Sequence, residues 1–106
     1  MIGESNVNRN AWIYVNSGNP ITLPDNWTEV CVAVYCGSRN HTIYYIPKIA
    51  VTVNNRAYVS GGVFNQSDTD NVGVGIYFST INTINIRWAY AGNSGSSGTM
   101  TAWIKT

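Results

Sequence analysis

Side chains able to do acid, base or nucleophilic chemistry are few and scattered: one histidine, His41, five acids and two cysteines in 106 residues. Asp25 and Glu29 lie close enough in the chain to suggest the carboxylate pair of a glycosidase. Glu29, however, opens a strand directly after a turn, which is the setting of a solvated acid. Asp68 and Asp70, flanked by Ser67 and Asn71, resemble part of a calcium loop, since hard cations want clustered oxygens, but the glycine and distal glutamate of an EF-hand are missing. His41 sits at a hairpin mouth. There is no Gly-x-Ser-x-Gly nucleophile turn and no phosphate-cradling glycine motif. Cys31 and Cys36 fall five positions apart on one predicted strand. That places them on opposite faces and about 16 Å apart, too far for a disulfide, and their spacing misses the usual zinc pattern. The reading is a protein that is not an enzyme, with no metal site and no cofactor.

Four tryptophans and seven tyrosines are the more informative content. Trp88, on the same strand face as Ile84 and Ile86, is the expected core aromatic. Strand alternation does not bury Tyr44, Tyr45, Tyr58, Tyr77 and Tyr90 together. Rings left on a sheet face can stack on sugars or fill an oligomer interface. The expected ligand contacts are therefore Trp27, Tyr44, Tyr58 and Tyr77, joined by Asp68 and Asp70 from the most polar loop.

The elements that must position these residues read as strands. Charged residues make up 10% of the chain, so Asn, Ser and Thr supply the surface polarity, and these favour turns and strands over helix interiors. No dozen residues keep a helical period. Val30, Val32 and Val34 alternate with Cys31, Ala33 and Tyr35, which predicts a central strand with both faces partly apolar. Pro47 is expected to interrupt the next strand, with pairing resuming from Ile49 to Val53. Ala57 to Phe64 reads as a strand whose Gly61-Gly62 pair marks a bulge. Short strands at roughly 8–12-residue spacing predict an all-β domain, an antiparallel β-sandwich of about eight strands, jelly-roll-like or Greek key. Residues 1–10 read as a polar linker or leader and 11–106 as the sandwich domain.

A formal charge of +1 without a basic run disfavours nucleic acid and anionic membranes as partners. No segment approaches the roughly 20 apolar residues of a membrane-spanning helix, and the N-terminus lacks a signal-like apolar run.

Ile21-Thr22-Leu23-Pro24-Asp25-Asn26-Trp27-Thr28-Glu29-Val30, followed by Val32 and Val34, resembles a recurring C-terminal domain of bacteriophage and prophage tail proteins. Thr42-Ile43-Tyr44-Tyr45-Ile46-Pro47-Lys48 is similar to that family's aromatic, aliphatic, Pro-Lys strand. The chain's end, Ala102-Trp103-Ile104-Lys105-Thr106, departs from the family's Tyr-Tyr-Arg-like finish. The resemblance implies a β-sandwich of a tail fibre, tip or baseplate protein, placed in the virion and made in the host bacterial cytoplasm. It implies a homo-oligomer, a trimer foremost, that contacts other tail proteins and the host surface, and the leftover aromatics make a host cell-surface glycan the expected ligand. It transfers no catalytic residue. Two other roles fit the same residues: a structural capping or oligomerisation module of a tail, and a carbohydrate-binding module of a secreted bacterial protein.

Overall fold

The computed structural model describes residues 11–36, 40–59, 62–65, 74–91, 94–95 and 98–106. Eight strands of four or more residues form the body: β1 (Ile13–Gly18), β3 (Glu29–Cys36), β4 (Asn40–Pro47), β5 (Arg56–Val59), β6 (Gly62–Asn65), β7 (Val74–Thr80), β8 (Thr83–Ala91) and β10 (Thr99–Lys105). Two short bridges, β2 (Ile21–Thr22) and β9 (Ser94–Gly95), complete the set. One sheet runs β1-β10-β3-β4, and the other runs β2-β8-β7-β5-β6 with β9 beside β8. All the pairings are antiparallel. The architecture is the expected β-sandwich, with the first strand paired to the last and β2 to β8, the nested order that jelly rolls share. Among the described residues no helix is long and apolar enough to cross a membrane.

Alternation decides which side chains meet between the sheets. From the four-stranded sheet, Val30, Val32 and Val34 turn inward beside Met100, Ala102, Ile104, Tyr44 and Ile46. Ile21, Tyr58, Val74, Ile76, Phe78 and Ile84 answer from the second sheet. β3 is central, as its two apolar faces require, between β10 and β4. On β1 the register slips between Tyr14 and Asn16, a bulge that leaves Val15 unpaired against β10.

The segment between β2 and β3 is tied down at one end of the sandwich. Trp27 is 1% exposed and stacks on Phe78 with centroids 5.9 Å apart and planes 10° from parallel. Its indole N–H donates to Asn82 Oδ1 at 3.0 Å, and the Asn82 amide in turn donates to Asp25 Oδ1. Lys48 donates to the Asp25 carbonyl at 2.7 Å and holds its ammonium 5.3 Å from the Trp27 ring centre. The Leu-Pro and Pro-Lys stretches, distant in the chain, thus meet in one clamp between the sheets' ends.

Two expectations are corrected. Pro47 does end β4, but the chain does not resume as a strand: Lys48–Ala50 is a 3₁₀ turn. The Tyr58 hydroxyl donates to the Ala50 carbonyl and accepts from the Thr52 N–H, both at 3.2 Å, satisfying backbone groups that a ladder would otherwise have paired. Ala57 to Phe64 is not one bulged strand but a hairpin, because Val59 pairs with Gly62 and Tyr58 with Val63.

Phe78→Ala removes the ring on which both Trp27 and Tyr58 pack, and we expect it to cost about 3–5 kcal/mol in urea unfolding. Asn82→Ala strands a buried indole N–H and should cost about 1–3 kcal/mol by the same measurement.

Candidate functional site

The outward face of the four-stranded sheet is where ring and hydroxyl chemistry collects. Its register aligns residues in rows across the strands: Tyr14 with Trp103, Trp103 with Cys31, and Cys31 with Tyr45. The next row sets Ser17 by Thr101, Thr101 by Ala33 and Ala33 by Ile43. The inward valines of β3 leave Cys31, Ala33 and Tyr35 to form the floor on the other side.

Trp12, just ahead of β1, closes one end of this face. Its ring lies 6.1 Å from that of Tyr45, tilted by 52°, and Lys105 Nζ sits 4.6 Å from its centre. The result is an open trough of about 330 Å³ lined by Trp12, Cys31, Ala33, Tyr35, Ile43, Tyr45 and Trp103. Tyr45 is 64% exposed and Ile43 56%, so the trough presents apolar surface to solvent.

A line of hydroxyls runs along the β1 side. Ser17 and Thr101 share a hydrogen bond at 2.8 Å, and the Tyr14 hydroxyl reaches Ser17 Oγ at 3.3 Å. None of the residues lining the trough carries a formal charge at neutral pH. Lys105 and Glu29 face one another in register at the Trp12 end, a cation and an anion on adjacent strands. Burial pushes the Cys31 thiol upward, a hydrogen bond with Tyr45 opposes this, and the charge of Glu29 adds to it. Cys31 is a free thiol.

The residues expected to contact a ligand lie elsewhere. Trp27, Tyr44 and Tyr58 are interior, at 1%, 8% and 7% exposure, which corrects the reading of these rings as displayed on a sheet face. Each has a structural use for its polar atom. Trp27 and Tyr58 are bonded as described, and Tyr44 donates its hydroxyl to the Val74 carbonyl at 3.2 Å across the core. Burial raises the Tyr44 phenol above its ordinary range. Tyr77 is half-buried on β7, on the second sheet, paired with Ala57 and Asn85. Asp68 and Asp70 lie outside the described residues, as do the side chains of Trp88, Tyr90 and His41. Asp25 belongs to the Trp27 clamp, and Glu29 faces outward beside Lys105. Among the described residues no group of three or more His, Cys, Asp or Glu side chains could hold a metal.

Trp12, Tyr35, Tyr45 and Trp103 were missed because alternation separates Tyr44 from Tyr45 without saying which faces the core. The signal that distinguishes them is the pairing of Tyr44 with Val32, an inward residue, and of Tyr45 with Cys31. Comparison of the chain with protein-family models, with curated proteins and with solved structures found no match.

The partial burial of Cys31 makes a reactivity prediction. A raised thiol pKa leaves less thiolate at a given pH, so alkylation of Cys31, followed by site-resolved mass spectrometry, should be slower than that of an unhindered thiol at pH 8. Its rate should keep rising with pH beyond the ordinary thiol range of about 8.5.

Proposed function

We propose that this domain is a non-catalytic recognition module that binds a host cell-surface glycan in the trough, as the receptor-binding end of a phage tail protein. The observation that carries the binding half is the trough itself. Trp12, Tyr45 and Trp103 sit beside a line of hydroxyls on a paired sheet. Aromatic faces take the C–H face of a pyranose, and neighbouring hydroxyls meet the sugar's own. The tail context is supported by the resemblance of the Leu23-Pro24 and Pro47-Lys48 stretches. A trimer would multiply modest single-site affinity through avidity.

A second reading, the capping or oligomerisation module, is favoured by exposed Tyr14, Ile43 and Tyr45 on the outward face of the four-stranded sheet. Such an apolar patch suits a subunit interface.

Trp103→Ala and Tyr45→Ala separate the two. In the glycan reading each lowers affinity for host-wall polysaccharide by about 3- to 10-fold, with sedimentation behaviour unchanged. Loss of assembly in sedimentation velocity, with no polysaccharide binding by the intact protein, overturns the glycan reading in favour of the interface.

A further inference from the structure

We infer that the trough takes an uncharged saccharide, lying across the strands with its ring faces on Trp103 and Tyr45 and its hydroxyl edge toward Ser17 and Thr101, and that it discriminates against anionic glycans. This inference rests on the glycan reading above and specifies the ligand's class and pose.

The charge argument comes from what surrounds the trough. A site for sialylated, sulfated or phosphate-bearing chains needs a cation aimed at the anion, usually a forked arginine or a free ammonium. The lining residues Trp12, Cys31, Ala33, Tyr35, Ile43, Tyr45 and Trp103 supply neither. Among the residues of this sheet face whose side chains are described, Lys105 is the nearby cation, while His41 takes the register position beside Tyr35 at the opposite end. The Lys105 ammonium already lies over the Trp12 ring, and Glu29 stands opposite in register and offsets its field. An anion entering the trough would lose hydration and meet ring faces, whose quadrupole repels negative charge.

The pose follows from the order of the rows. Trp103, Cys31 and Tyr45 sit side by side across three strands, about 4.8 Å per strand, so the two rings are separated by about 10 Å. The small Cys31 side chain between them leaves a saddle, and Trp12 closes the end nearer Lys105. The flank toward β1 is where Ser17 and Thr101 already hold each other's hydroxyls. A flat molecule with two apolar faces and a hydroxyl rim matches this pattern of ring faces and hydroxyls, whereas an extended peptide would pair with the free edge of β4 and not lie across the floor.

The test uses the full chain and immobilised oligosaccharides of two kinds: uncharged gluco- and galacto-oligosaccharides, and the same backbones carrying sialic acid, sulfate or glycerol phosphate. The expected result is binding to members of the uncharged set, at least 10-fold weaker binding of their anionic counterparts, and an affinity that changes less than about 2-fold between 50 and 500 mM salt. Thr101→Val should weaken that binding about 2- to 10-fold without altering its salt response. The bound sugar should also slow alkylation of Cys31, with the rate at each cysteine read separately by mass spectrometry. Preference for the anionic set, or binding that collapses with salt, overturns the inference while leaving a glycan site in place. Binding that leaves Cys31 alkylation and the Thr101→Val variant unaffected overturns the assigned location and pose. Binding to neither set overturns the glycan reading as well.

Discussion

Where the two sheets come together at one end of the sandwich, the Trp27 indole is held on three sides. Phe78 supplies the stacking partner from one sheet, Asn82 accepts the indole proton from the β7–β8 turn, and Lys48 covers the ring from the end of β4. Each contact comes from a different part of the chain. Together they set the spacing at which Val30, Val32 and Val34 reach Ile76, Phe78 and Ile84. β3 leaves this junction directly, and the face it turns inward determines the face it turns outward. A slip of one residue at Trp27 would turn Cys31, Ala33 and Tyr35 toward the other sheet and the valines away from it. The trough is in this sense the reverse side of the core.

That origin suits a recognition surface. The floor belongs to β10, β3 and β4, whose backbones are paired in register along seven residues or more. Side chains on such a floor lose little further freedom when a ligand arrives, and this saves part of the ordering cost that loop-built sites meet on binding. Trp12 precedes β1, and its ring is steadied by Lys105 and Tyr45 instead of a ladder. The site combines a fixed floor with one more adjustable wall.

Much of this fold was legible from residue types. The alternating valines of β3, the turn ahead of Glu29 and the break at Pro47 each correspond to a feature of the structure, because each acts through its own backbone or its immediate neighbours. The 3₁₀ turn at Lys48–Ala50 was not legible, since what replaces its ladder bonds is the hydroxyl of Tyr58, eight residues beyond Ala50. The site was the hardest part. Trp27, Tyr44 and Tyr58 look like display residues in a chain so rich in rings, yet each has a partner that only folding supplies: Asn82, Val74 and Ala50. Tyr44 and Tyr45 are chemically identical neighbours, and their opposite fates depend on the β3–β4 register alone.

The pairing of the first strand with the last has a mechanical meaning. Ile13 stands opposite Ile104, so the chain enters and leaves the domain at the same pole. Tension applied between these two ends would peel β1 from β10 one pair at a time, the weak direction of an antiparallel ribbon. A ligand seated over Trp103 would sit beside that same pole, since Trp103 is two residues before Lys105 and pairs with Tyr14. A domain wired this way gives readily when stretched end to end, and a load between its ligand and its attachment crosses only the last residues of β10.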